Sequence, residues 1–206
     1  MEFLFQWRAG RLICGRGTEG RTVMPELLIR QAAAADLKAI NAIYNYYVRH
    51  STCTWETEPE TQADREAWFG RHGPAHPVIV AESAGEVVGW GALSEYRART
   101  GYRYTVEDSV YVRHDALRRG IGSALLAELL ARGRKSGLHT VIAVIDGEQT
   151  ASLALHAKHG FVEAGRLREL GFKFKRWLDV VNMQRLLSLP GEVFALNQEV
   201  EGSPCP

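Results

Sequence analysis

The most chemically specific stretch of this sequence is Val110-Tyr111-Val112-Arg113-His114-Asp115-Ala116-Leu117-Arg118-Arg119-Gly120-Ile121-Gly122-Ser123. A strand reads to its end near Val112, a basic turn follows, and a helix opens at Gly120. Glycines at 120 and 122 let the backbone come close to a ligand. The first N–H groups of a helix have no partner within it, so they point at whatever anion sits there. Arg118 and Arg119 add positive charge beside that point. A pyrophosphate is the natural guest. A Walker loop is excluded, because no Gly-Lys-Ser/Thr follows a four-residue gap. A Rossmann fingerprint is excluded too: Leu125 stands where the third Gly or Ala is needed. The rival reading is a plain glycine-containing helix entry, against which the two arginines and the preceding strand both speak.

Two titratable residues stand out beside this turn. Glu107 lies on the strand that feeds it, flanked by Val106 and Val110 and near tyrosines 102, 104 and 111. A carboxylate in partly apolar surroundings holds its proton more tightly and becomes a better proton acceptor near neutral pH. Pattern alone equally allows a solvent-facing strand glutamate. Asp108 points to the opposite face of the strand and is the weaker candidate. His156 shares a helical face with Gln149 and Ser152, at i, i+3, i+7 spacing. A surface histidine without a role fits that spacing as well. Cys53 lacks any local signature of a nucleophile. The seven histidines show no metal-ligand spacing, so no metal is expected.

The elements that must position these residues alternate between strand and helix. Leu27 to Arg30 starts a strand, and Leu37, Ile40, Ile43, Tyr44, Tyr47 and Val48 recur at helical spacing behind Asp36. Thr61 with Asp64 predicts a capping box opening a short helix through Trp68 and Phe69. Pro77–Glu82 and Val87–Leu93 read as strands joined around Ala84-Gly85-Glu86. Tyr102–Val112 reads as one long strand, and Ile121–Lys135 as an amphipathic helix stopped at Gly137. His139–Asp146 is a continuous apolar strand, which implies burial on both faces. Thr150–His159 reads as a helix ended by Gly160, followed by strands at Phe161–Arg166 and Trp177–Leu187.

Composition bounds the rest. The 206 residues suit one domain, and 46% hydrophobic with 24% charged residues is ordinary for a globular protein. A net charge of +1 offers no bulk field for nucleic acid or a membrane surface. Cys14, Cys53 and Cys205 are far apart and odd in number, which argues against a disulfide framework and for a cytoplasmic setting. No apolar run approaches the roughly 18 residues a membrane span needs, and the N-terminus lacks the pattern of a signal peptide. Residues 1–24 read as a peripheral extension, with Met24 a candidate start. Residues 190–206 read as a weakly patterned tail, which leaves a domain over 25–189.

The strand Val110-Tyr111-Val112 followed by Arg-Arg-Gly-Ile-Gly-Ser resembles the acetyl-CoA pyrophosphate loop of the GNAT acetyltransferase superfamily. Leu117 departs from the Gln or Arg usual there. Backbone amides carry most of that site's binding, so tolerance is expected. Ser51-Thr52, Thr57-Glu58-Pro59, Thr105-Val106-Glu107, Gly171-Phe172-Lys173, Trp177 and Asp179 also occur in order. Over residues 28–187 the chain resembles the phosphinothricin acetyltransferase branch, whose members acetylate phosphinothricin, methionine sulfoximine or methionine sulfone.

That resemblance implies an α/β GNAT fold: a mixed sheet with helices on both faces, splayed between the strand of Glu107 and the strand His139–Asp146. It implies acetyl-CoA as donor, held by Val110, Tyr111, Val112, Arg118, Arg119, Gly120, Ile121, Gly122, Ser123 and Ser152. Gln149 stands where the branch usually has Asn, which puts its contact in question. Acetyl transfer to an amine needs a base for the ammonium, donors for the carbonyl oxygen, and a proton for the departing thiolate. The branch implies Glu107 as the base, backbone N–H groups near Val112 as the donors, and His156 as acid or base. Trp55, Arg97, Arg99, Tyr102 and Tyr104, with Arg103 and Tyr96, are implied around the acceptor. Lys173 is implied to reach the site of a second subunit in a homodimer. The rivals are a protein N-terminus or lysine as acceptor, and a non-catalytic CoA sensor; the presence of both Glu107 and His156 argues against the sensor.

Overall fold

The structure is a computed structural model and describes residues 26–187. The extension over 1–24, Met24 and the tail over 190–206 lie outside the described residues. The chain runs β1 (Leu27–Gln31), α1 (Leu37–His50), α2 (Gln62–Gly70), β2 (Val78–Ser83), β3 (Glu86–Glu95), β4 (Thr105–Val112), α3 (Ile121–Lys135), β5 (Thr140–Asp146), α4 (Thr150–Lys158), β6 (Val162–Lys173) and β7 (Arg176–Leu186).

Local chemistry sets these boundaries. Thr61 and Asp64 form the expected reciprocal cap: the Asp64 N–H donates to Thr61 Oγ1 at 3.1 Å, and the Thr61 N–H to Asp64 Oδ2 at 2.9 Å. Ahead of α1, Asp36 is buried and accepts hydrogen bonds from the two terminal guanidinium nitrogens of Arg30 at 2.7 and 2.8 Å. The α4 helix stops where Gly160 turns left-handed and the Phe161 N–H reaches back to the His156 carbonyl at 3.1 Å. Ala84 and Gly85, both at positive φ, close the β2–β3 hairpin.

The seven strands form one sheet in the order β1-β2-β3-β4-β5-β7-β6. Every pairing is antiparallel except β4 with β5. Alternation along each strand feeds two cores. On one face α3 contributes Ile121, Leu125, Leu126 and Leu129 to a cluster with Val106, Val141, Ala143 and Phe161, against which Leu153 and Leu155 of α4 pack. On the other face α1 contributes Leu37, Ile40 and Ile43 to a cluster with Val78, Val80, Trp90 and Ala92, joined by Trp68 and Phe69 of α2. The apolar run of β5 implies burial on both faces; the face of Val141, Ala143 and Ile145 is buried, while Ile142 and Val144 on the other are half-buried, with Val144 lining a cleft.

Two sequence expectations need correction. The long strand expected over Tyr102–Val112 begins only at Thr105, after a single 3-10 turn over Thr100–Tyr102. Its partner β3 ends at Glu95, opposite Val106, so the residues before Thr105 have no ladder on that side. Strand β6 is seven residues longer at its far end than the expected Phe161–Arg166, running to Lys173. A two-residue turn at Phe174 and Lys175, both at positive φ, folds β7 back along it. Most of β6 is exposed at the sheet edge, which erases the hydrophobic alternation a sequence reading depends on.

Candidate active site

The parallel pairing of β4 and β5 covers only three residue pairs: Thr105 with Thr140, Val106 with Val141, and Glu107 with Ile142. Beyond Glu107 the two strands part. A cavity of about 760 Å³ enters the gap, with Ser109, Val110 and Val112 on one wall and Ala143, Val144 and Ile145 on the other. The β4 edge along this wall has no strand beside it, so its peptide groups face the cavity rather than a ladder.

One end of the cavity is the glycine turn. After Val112 the chain makes a 3-10 turn over His114–Ala116, and α3 then opens from Gly120. Arg118 and Gly120 take left-handed φ values of 60° and 80°. A side chain at 120 would strain this geometry, which is why glycine stands there. The Ala124 N–H donates to the Gly120 carbonyl at 3.0 Å as the helix begins. The amides of Ile121, Gly122 and Ser123 precede that bond and have no helical acceptor. Arg118, Gly120, Ile121, Gly122 and Ser123 all line the cavity. Arg119 lies outside the lining and donates to the Asp115 carbonyl at 3.1 Å. Ser123 Oγ lies 2.8 Å from His159 Nε2.

The titratable groups sit midway along the cleft. Glu107 projects to the α1 and α2 side of the sheet, where its cross-strand partner is Ser94. Burial pushes its carboxyl above the ordinary 4.5, and the charge of Asp108 adds to the effect. Asp108 projects to the α3 and α4 side, as expected, and is buried. Its partner comes from 48 residues away: Asp108 Oδ2 lies 3.1 Å from His156 Nε2. His156 Nδ1 meets the Ser152 carbonyl at 2.8 Å. Burial pulls the imidazole down, but the hydrogen bond and charge of Asp108, with the Ser152 carbonyl, outweigh it and leave the net shift above 6.5. Glu107, Asp108, Ser152 and His156 all line the cavity.

The segment between α1 and α2 closes the cleft from above the sheet. Gln149, expected at the cofactor, lines the cavity while its Nε2 donates to Thr52 Oγ1 at 2.9 Å. Thr52 in turn bonds Asp146. Trp55 lines the cavity and packs over β6 at Gly171, where any Cβ would run into its ring. Lys173 is buried within its own chain, where Nζ donates to the Thr54 carbonyl at 2.8 Å. It pins the Trp55 segment instead of extending toward a second subunit.

The arginine cluster lies elsewhere than the acceptor reading implied. Arg97, Arg99, Tyr102 and Tyr104 are outside the cavity lining, on the exposed connection between β3 and β4. That connection packs on itself, with Arg97 over the Tyr96 ring at 5.1 Å and Tyr96 against Tyr102 at 5.7 Å. The cations that do line the wall on the Glu107 side are Arg65 and Arg71 of the α2 region. Arg65 is buried between Tyr44 and Trp68, 4.5 and 4.6 Å from their ring centres, and pairs with Glu60 at 2.6 Å. Sequence reasoning missed both arginines, because a charged residue on a short amphipathic helix reads as solvated surface. Next to Arg71, His72 Nε2 lies 3.0 Å from Ser94 Oγ, which places the end of α2 at the β3 residue paired with Glu107. Among the described residues, no group of three or more His, Cys, Asp or Glu stands together as a metal site.

Residues 40–161 match the family described as Acetyltransferase (GNAT) family. The chain is 44% identical over 158 residues to an L-methionine sulfoximine/L-methionine sulfone acetyltransferase of Pseudomonas paraeruginosa, covering 76% of this chain and 92% of that one. It is 43% identical over 162 residues to a phosphinothricin N-acetyltransferase of Alcaligenes faecalis, covering 78% and 82%. The crystal structure of a phosphinothricin acetyltransferase from Sinorhizobium meliloti in complex with acetyl-CoA superposes with a TM-score of 0.76 at 38% identity, over 82% of this chain and 96% of that one.

Proposed function

This chain belongs to the GNAT acetyltransferase family and has its fold, and from that premise we propose that it transfers acetyl from acetyl-CoA to the primary amine of a small amino-acid-like acceptor. Phosphinothricin, methionine sulfoximine and methionine sulfone, which name its relatives, define the acceptor type. The observation that carries the reading is one continuous cavity joining the Arg118–Ser123 turn to the Glu107 carboxylate.

The residues present fit acetyl-CoA. The left-handed turn at Arg118 and Gly120, with the amides that open α3, suits a diphosphate. The unladdered edge from Val110 through Tyr111 to Val112 suits the amides of an extended pantetheine arm. Ser152 and Gln149 stand on the far wall. Bound acetyl-CoA supplies the acetyl group as a thioester. The chain's own part is proton handling and placement. Glu107, with its raised proton affinity, takes a proton from the acceptor's ammonium, and the amine then attacks the thioester carbonyl directly, without an acyl-enzyme; the C–N bond forms as the C–S bond breaks, and the released thiolate takes up a proton to leave as free thiol. Backbone N–H groups of β4 toward Val112 stabilise the oxygen that gains charge.

Trp55 supplies an aromatic wall for the acceptor, and Arg71 is the cation assigned to its carboxylate. Arg65 is already matched by Glu60. Arg97, Arg99, Tyr102 and Tyr104 take part in this reading only for acceptors that extend beyond the cleft.

The test is acetyl-CoA-dependent thiol release with phosphinothricin, methionine sulfoximine, methionine sulfone and a basic peptide. Turnover is expected with at least one amino-acid analogue, and Arg71→Ala is expected to raise its KM about tenfold, equivalent to ~1.4 kcal/mol of binding. Acetylation of the peptide alone would remove the acceptor assignment.

A further inference from the structure

His156 is held at both ring nitrogens by groups that can only accept. Nε2 faces the Asp108 carboxylate at 3.1 Å, and Nδ1 faces the Ser152 carbonyl at 2.8 Å. The Ser152 hydroxyl is farther off, at 3.4 Å from Nδ1. A neutral imidazole has one N–H donor and one bare acceptor nitrogen, so it satisfies only one of these two contacts. An imidazolium satisfies both, and the adjacent carboxylate balances its charge. Both side chains are buried, where an unbalanced charge would be costly.

We propose that Asp108 is a positioning residue that holds His156 as an imidazolium, so that His156 takes no proton from the acceptor and Glu107 carries that step alone. The inference rests on the acetyl-transfer reading above and decides a role that helical spacing left open between acid and base. Asp108 follows Glu107, the last β4 residue paired with β5. Its bond to His156 therefore ties α4 to β4 at the mouth of the splay. The second oxygen, Oδ1, is buried without a protein partner among the described residues, in the cleft wall.

One neighbouring charge favours this state. Asp108 from β4 is the charge that acts directly on His156, and Glu107 is the next carboxylate on that strand. On α4 itself, Lys158 and His159 follow the ring. His159 is held below 6.5 by burial first, then by Lys158, Arg185 of β7 and His156. Phe161 closes one side of the ring, edge-on at 5.0 Å.

Ring-nitrogen NMR on the full chain reads the protonation state without turnover. At pH 7 both nitrogens of His156 should carry hydrogen, with a titration midpoint above that of free histidine. Asp108→Asn should lower the midpoint by at least about one pH unit, a tenfold change in proton affinity. A single neutral tautomer at pH 7, or a midpoint unmoved in Asp108→Asn, would overturn the inference. In turnover, His156→Gln should lower kcat but keep the acid limb of kcat/KM, because Glu107 still titrates; loss of that limb would also overturn it. A chain that releases no CoA with any acceptor sinks the acetyl-transfer reading, while the NMR arm still decides the state of His156.

Discussion

Glu107 and Asp108 are neighbours in sequence but face different chemistry, because a strand sends consecutive side chains to opposite faces. Glu107 meets the acceptor side; Asp108 meets His156. Alternation around Val106 and Val110 made the separation legible in the sequence. The Asp108–His156 contact was not legible, since it joins residues 48 positions apart and depends on where α4 docks. The same limit hid Arg65 and Arg71, whose place in the wall follows from the packing of α2. A pH prediction belongs at this scale. Burial and the Asp108 charge raise the Glu107 carboxyl above 4.5, and a base works only when ionised. Activity should therefore fall as pH drops through that raised value, so the acid limb of kcat/KM lies above 4.5. Glu107→Gln should remove that limb from the residual activity, and a limb that persists in this variant would show that another group is the base.

At the scale of elements, the site exists because two parallel strands pair for three residues and then part. Apolar periodicity located α3 to the residue, since both its caps are local. Edge exposure hides the far half of β6 from a pattern of apolar residues. Tyr102 and Tyr104 carry strand propensity ahead of β4, which the end of β3 at Glu95 overrides. The left-handed start of α3 yields a direct prediction. Gly120→Val forces a β-branched residue to a φ of 80° and should rebuild the anion-facing turn. The KM for acetyl-CoA should rise at least about tenfold, corresponding to ~1.4 kcal/mol, with the acceptor's KM changed little. An unchanged KM for acetyl-CoA would mean that the turn does not hold the diphosphate.

For the whole molecule, two cores on opposite faces of one sheet hold the cleft between them. Among the described residues, no helix is long and apolar enough to cross a membrane. The family resemblance predicts a homodimer, and the β6–β7 hairpin supports it. Leu167, Leu170, Phe172, Phe174 and Trp177 are all exposed there, on the edge strand and its partner. An edge strand carrying that much apolar surface is a ready template for a second copy. Light scattering at micromolar concentration should return twice the chain mass, and Trp177→Glu should shift the particle toward a monomer; a wild-type monomer at that concentration would leave the hairpin unexplained. Whether the cleft works as a catalyst rests on one carboxylate. The most direct measurement compares wild type and Glu107→Gln, taking kcat with methionine sulfone and the Kd for acetyl-CoA from the same preparations. The expected result is a kcat loss of about 10²- to 10⁴-fold with the acetyl-CoA Kd held within about twofold. An unchanged kcat in Glu107→Gln would rule Glu107 out as the base.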